Sequence, residues 1–173
     1  LTAAIAFTLI KTDVVPVMNQ ASFDKALTAA IDKQKADQIK AKTDLLFKEY
    51  GLAAEKIAGD THVYGDPKAR FSIVEFSDTE CPYCKRFHNT PKTVVDRSNG
   101  AVNWMFKHMP LSFHDPVATK QAMASECYAE QKGNRGFWVI MGQIFDKSAG
   151  NGAGVEDLRG MVEGLGADMA KYD

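Results

Sequence analysis

The sequence predicts an α/β domain: a parallel strand–helix–strand core, a run of helices behind it and a helical arm in front. Three observations carry that prediction. FSIVEFS (71–77) has the length and β-rich content of a buried central strand. In 101–109, Val102, Trp104 and Phe106 alternate with Asn103, Met105 and Lys107, a second strand. The segment between them is too long for a hairpin, so the two strands pair parallel around a helix. Beyond Pro116 the apolar spacing becomes helical, giving helices over 117–132, 136–147 and 155–165, parted by Gly133, Gly136 and the loop SAGNGAG (148–154).

Taken in order, the chain opens on LTAAIAFTLI, ten almost wholly apolar residues followed by Lys11 and Asp13. Ten residues fall short of the roughly twenty that span a bilayer. Residues 1–18 read as the tail of an export signal or of a membrane anchor, the alternative being a short buried helix or strand. Export implies an oxidising compartment in which disulfide chemistry is permitted. Residues 20–50 hold no Pro or Gly. Phe23, Leu27, Ala30 and Ile31 recur at helical spacing, and Ile39, Leu45, Leu46 and Tyr50 resume the pattern. Asn19 or Ser22 caps the start and Gly51 marks the stop. The middle, DKQKADQIKAKTD, is polar nearly all round, which predicts an arm that finds its apolar partners in a second copy; a solvated linker helix is the alternative. The expected contact residues are Phe23, Leu27, Ile31, Ile39, Leu46 and Tyr50. Gly59-Asp60 and Gly65-Asp66-Pro67 are turns around a short strand, His62-Val63-Tyr64. After Cys84 a helix runs to about Arg97, kinked or broken by Pro91.

Hydrophobic residues make up 45% and charged residues 25%, enough for one domain with its own core plus an appendage in 173 residues. A net charge of −1 without a basic cluster gives no reason to expect nucleic-acid binding. Three cysteines are too few for a disulfide-framework fold.

Two of the three lie in Cys81-Pro82-Tyr83-Cys84, directly after the central strand. A thiol in the first turn of a helix meets unpaired backbone N–H groups and the positive end of the helix dipole, which favour thiolate. Pro82 falls at the first helical position, where its missing N–H costs nothing. Cys84, three residues on, is close enough for a disulfide across the turn. One exposed nucleophile and one shielded resolving thiol is the division that thiol–disulfide exchange needs. A metal set of Cys81, Cys84, His88 and Cys127 and an inert structural bridge are the competing readings. No second compact pair supports the metal, so the redox pair is favoured and no cofactor or metal is expected. Glu75 falls among Ile73, Val74 and Phe76, where a carboxylate is costly to bury. A buried Glu75 beneath the resolving thiol would take and return its proton; otherwise it escapes at the strand edge or pairs with a Lys. Asp78 and Glu80 read as solvated, modestly opposing thiolate at Cys81.

GDPKARFSIVEFSDTECPYCKRFHNTP and then VNWMFKHMPLSFHDPVATKQAMASECYAEQKGNRGFW resemble the DsbA-like branch of thioredoxin-fold proteins, over about residues 65–165. The resemblance implies a thioredoxin-like fold with a helical insertion, about 115–173 within a domain 59–173, behind an arm at 19–58. It implies an exported, periplasmic thiol–disulfide oxidoreductase or isomerase, with Cys81 as nucleophile, Cys84 as resolving thiol and Glu75 as the buried acid. The arm is similar to oligomerising arms of some disulfide isomerases. Implied partners are unfolded or misfolded exported proteins with Cys, a membrane redox partner and further copies of this chain; Pro82, Tyr83 and His108 are the implied substrate contacts. One departure stands out. Family members open a further strand after the insertion with a cis-Pro, whereas all six prolines here precede the insertion, so the C-terminal part of the core is expected to be missing. A Cys at position 127 is sometimes bridged in the family; here Cys127 is expected to take no part in exchange. His62 and His114 read as surface, His108 as a rim residue that can also touch substrate, and Trp104, Phe137, Trp138, Phe145 and most methionines as core. The rival reading is a non-enzymatic oligomeric module with CPYC as a closed structural bridge.

Overall fold

The computed structural model describes residues 19–54 and 61–173. The predicted export segment, 1–18, and the turn at Gly59-Asp60 lie outside the described residues. The elements are α1 (Gln20–Glu49), β1 (His62–Tyr64), β2 (Phe71–Ser77), α2 (Pro82–Phe87), α3 (Asn89–Arg97), β3 (Val102–His108), a 3₁₀ turn (Ser112–His114), α4 (Val117–Lys147), α5 (Leu158–Gly164) and α6 (Met169–Tyr172). Among the described residues no helix is long and apolar enough to cross a membrane.

The chain divides into two units at Lys35/Ala36. In the first, α1 starts with the Asn19 side chain accepting the Ser22 N–H at 2.9 Å, and Phe23, Leu27 and Ile31 are exposed. The second unit begins at Ala36, so the rest of α1 belongs to the body. Tyr50 is buried in its core and Leu46 packs against it. These two side chains are therefore already covered by their own chain, contrary to the expectation that they meet a second copy.

The body is built on a three-stranded sheet in the order β1-β3-β2. β2 and β3 pair parallel, Ile73 beside Trp104, Glu75 beside Phe106 and Ser77 beside His108; β1 pairs antiparallel to β3. The predicted strand–helix–strand unit is thus present. Alternation along β2 and β3 turns Ile73, Glu75, Ser77, Trp104 and Phe106 to the side that α4 covers, where Phe137, Trp138, Ile140, Met141 and Ile144 complete the core. On the other side Val74 and Phe76 stay exposed.

Two local events shape the frame. The helix after the cysteines breaks at His88 rather than at Pro91. Pro91 has no N–H for the Phe87 carbonyl four residues back, so the ladder fails one turn before the proline. In α4, Gly133 (φ 72°) interrupts the helix as its sequence position predicts. Its neighbour Asn134 is buried and reaches β1, accepting from Val63 N–H at 3.1 Å and donating to the Val63 and Ala54 carbonyls, each at 2.8 Å. Of the methionines, Met141 is in the core and Met161 and Met169 pack against it, whereas Met109 and Met123 are exposed, on the loop after β3 and on α4.

Candidate active site

β2 ends at Ser77, the chain turns through Asp78, Thr79 and Glu80, and Cys81 stands as N-cap of α2 with extended backbone (φ −77°, ψ 119°). Its carbonyl accepts the Lys85 N–H at 3.0 Å, the first helical bond, and Pro82 occupies the first helical position. Both thiols of the pair are half-buried and unbridged. Tyr83 is exposed, with the Arg86 guanidinium 4.6 Å above its ring. Burial pushes the Cys84 thiol above its ordinary range, and the nearby Asp78 N–H and Ser77 hydroxyl offset that in part.

Glu75 is 7% exposed on the inner side of β2, as read for a buried acid. Among the described residues neither carboxyl oxygen has a hydrogen-bond partner, and Ser77 Oγ and Trp104 Nε1, the polar atoms beside it, are unpartnered too. Burial raises its pKa, and the proximity of Ser77 and Trp104 lowers it by less. Ser77 therefore neighbours both the Glu75 carboxyl and the Cys84 sulfur.

Asp78 and Glu80 are not solvated: they are 2% and 0% exposed. Asp78 accepts from Glu80 N–H at 2.6 Å, Leu111 N–H at 2.7 Å and His114 Nδ1 at 2.9 Å. His114 is accordingly buried, not at the surface. Glu80 accepts from Gln121 Nε2 at 2.7 Å, from Ser148 Oγ and from Gly154 N–H at 2.9 Å. This polar cluster was not foreseen in the sequence, apart from one signal. Gln121 sits in the buried stripe of Ala118, Ala122 and Ser125, where a polar side chain requires partners.

The other candidates fall into place around this turn. His88 is 2% exposed between Trp104 and Phe145, its ring 5.0 and 4.4 Å from theirs. Burial pushes its pKa down to about 3, so it is neutral, and its two nitrogens lack partners among the described residues. His108 ends β3 half-buried, its Nε2 at 3.1 Å from Glu126 Oε1, while His62 Nε2 lies 2.9 Å from Glu126 Oε2. His62 stacks on Phe137 at 3.5 Å and so is not a free surface residue. The two imidazoles hold the Glu126 carboxyl down at about 2 against its burial. Cys127 lies on α4 away from the pair, lining a cavity of about 310 Å³ with Met123, Leu158 and Tyr172. Among the described residues no group of three metal-ligating side chains converges, so Cys81, Cys84, His88 and Cys127 do not form a metal set.

The sequence model of the thioredoxin family matches residues 57–157, more than half of the chain. DsbA2 of Pseudomonas aeruginosa is 35% identical and superposes with a TM-score of 0.54 over 68% of this chain and 69% of that one. BcfH of Salmonella enterica Typhimurium, 19% identical, shares the fold with a TM-score of 0.58 over 88% of this chain and 63% of that one. Among curated sequences the chain is similar to the Na(+)/H(+) antiporter NhaA 1 of Mycolicibacterium gilvum, 29% identical over 65% of this chain but only 17% of that protein. NhaA 3 of Salinispora tropica is 36% identical over 46% of this chain and 12% of its own length. The chain therefore matches a sixth or less of those antiporters, and antiport is a property of those proteins. The chain belongs to the thioredoxin family, in its DsbA-like branch of thiol–disulfide oxidoreductases.

Proposed function

We propose that the chain exchanges disulfides with exported client proteins in the periplasm through Cys81 and Cys84. The observation that carries the reading is the placement of Cys81 as N-cap of α2, with Cys84 one turn in and a buried, unpaired Glu75 behind it. A helix start favours negative charge, and Cys81 occupies that position, whereas burial raises the Cys84 thiol above its ordinary range.

From the disulfide form, a client thiolate attacks Cys81 Sγ. The Cys81–Cys84 bond breaks, the electron pair stays on Cys84, and that sulfur takes the Glu75 proton by way of Ser77. A second client thiolate then attacks the client sulfur of the mixed disulfide and releases Cys81 as thiolate. The client gains a disulfide and the pair is left reduced, to be reoxidised by a membrane redox partner. From the dithiol form the same steps run in reverse, with Glu75 taking the Cys84 proton, and a wrong client disulfide is opened and reshuffled. Pro82, the exposed Tyr83 and His108 at the end of β3 form the client-facing rim.

The exposed Phe23, Leu27 and Ile31 on α1 support an oligomer joined through the arm. Several sites around one client favour isomerisation by raising effective concentration. Truncation through Lys35, which leaves Leu46 and Tyr50 in the body, is expected to give a monomer that loses isomerase activity and keeps oxidase activity. An intact protein that scatters light as a monomer at micromolar concentration defeats this part.

The central test is a pair of variants. Cys81→Ser is expected to abolish exchange, and Cys84→Ser to accumulate mixed disulfides with reduced, unfolded clients. Faster alkylation of Cys84 than of Cys81 at neutral pH reverses the roles and overturns the reading.

A further inference from the structure

Glu80 is fully buried one residue before the proposed nucleophile, and three donors converge on its carboxyl group. Gln121 Nε2 and Gly154 N–H can only donate, and Ser148 Oγ, which already accepts the Gly150 N–H at 3.0 Å, donates to it as well. The two groups that can only donate reach different oxygens of the Glu80 carboxyl, Gln121 at Oε1 and Gly154 at Oε2, an arrangement that stabilises its anionic form. No cation pairs with it among the described residues; the Lys85 ammonium donates to the Ser148 carbonyl at 2.8 Å and the Asp146 carbonyl at 3.0 Å.

The same residue ties the loop 148–154 to the redox turn. Besides the carboxylate contacts, the Glu80 carbonyl accepts the Asn151 N–H at 2.7 Å. Gly150 (φ 79°) passes so close that a Cβ there would lie 3.3 Å from the Glu80 carbonyl oxygen and 3.7 Å from Pro82 Cγ. Gln121 extends the tie, donating to Thr79 Oγ1 at 2.8 Å and accepting the Val155 N–H at 2.9 Å. One buried side chain thus seats a loop some seventy residues away against the Glu80 backbone and the Pro82 ring.

We propose that Glu80 is a positioning residue for the exchange reaction and sets how oxidising the pair is. It seats the loop 148–154 against the turn that carries Cys81 and holds negative charge one residue before it. Because that charge opposes the thiolate of the reduced state, it favours the disulfide and makes the pair less oxidising than the helix start alone would. The inference rests on the reading of Cys81 and Cys84 as a redox pair.

The test equilibrates the full chain with glutathione, in which the protein dithiol and one glutathione disulfide give the protein disulfide and two glutathione thiols. Glu80→Gln keeps the volume and removes the charge. It is expected to lower that equilibrium constant about three- to tenfold and to speed alkylation of Cys81 below neutral pH by a similar factor. Ser148→Ala keeps the charge and removes one anchor. It is expected to speed amide exchange at Gly150 and Gly154 while moving the equilibrium less than twofold. A folded Glu80→Gln protein whose equilibrium and alkylation rate both stay within twofold of wild type overturns the inference alone. A wild-type protein that never equilibrates with glutathione overturns it together with the redox reading. Should Glu80→Gln not fold, wild type still decides, since the coupling is reciprocal. Amide exchange at Asn151 and Gly154 must then differ between the oxidised and reduced forms, and identical protection in both overturns the inference.

Discussion

Two glutamates five residues apart on one strand and its turn are both removed from water, and the protein treats them in opposite ways. Glu75 has no hydrogen-bond partner among the described residues, whereas Glu80 has three donors from three parts of the chain. The difference teaches what burial alone does and what burial with partners does. A carboxyl without donors is better off protonated, and burial raises the Glu75 pKa accordingly. A carboxyl met by three donors from distant segments acts as a structural knot.

The largest expected effect comes from undoing the knot. Glu80→Ala leaves the Gln121 amide, the Ser148 hydroxyl and the Gly154 N–H without their acceptor, a loss on the order of 3–5 kcal/mol in unfolding free energy. Urea denaturation of reduced protein measures it, and a loss under about 1 kcal/mol would show that the donors find other partners.

His88 extends the comparison to a base. Its folded-state pKa, about 3, lies below the ordinary 6.5, so only the unfolded chain takes up a proton between those values. The His88 contribution to stability is therefore complete above pH 6.5 and falls as pH drops from 6.5 toward 3, by a few kcal/mol. His88→Phe, which keeps a ring between Trp104 and Phe145, is expected to flatten that stretch of the stability–pH curve. An unchanged slope would mean that the imidazole is hydrated.

Glu75→Gln should act the other way from Glu80→Ala. The Glu75 pKa is raised in the folded state. Its contribution to stability is therefore fully present below the ordinary 4.5 and is lost as pH rises through the raised value. The amide cannot ionise, so at pH 7 the variant is expected to be more stable by about 1 kcal/mol, because the unfolded chain no longer gains from ionising this side chain. Stopped-flow reoxidation should slow about a hundredfold or more, the lower end for losing a general acid–base group. A variant that is destabilised and reacts at the wild-type rate removes Glu75 from the mechanism.

The smallest effect is expected at Cys127, half-buried beside a cavity on α4 and absent from both carboxylate environments. Cys127→Ala should leave the exchange rate unchanged and cost about 1 kcal/mol or less as lost packing. Loss of activity at wild-type stability would bring this thiol into the exchange.

What could be read from the sequence follows from how local each signal is. The β2 run, the alternation in β3, the thiol pair at a helix start and the break at Gly133 each lie within a short window, and all stand in the structure. Glu75 was legible for the same reason, since only its strand neighbours were needed to call it buried. Asp78 and Glu80 look solvated in a window of charged and polar residues because their partners come from Leu111, His114, Gln121, Ser148 and Gly154. Tyr50 reads as part of an exposed arm for the same reason: the core it enters is assembled from β1 and α4.

The side chain of Asn134 gives the sheet a direction. It fills the outer hydrogen-bonding positions of β1 at Val63, and Ala53 bridges to Gly65 beside it, so that margin is already occupied. At the opposite margin β2 pairs only with β3 among the described residues, while Phe71, Val74 and Phe76 along it stay exposed. The sheet is one-ended: it can grow past β2 and not past β1. Whatever strand is added there, from this chain or another, must run alongside the segment that delivers Cys81.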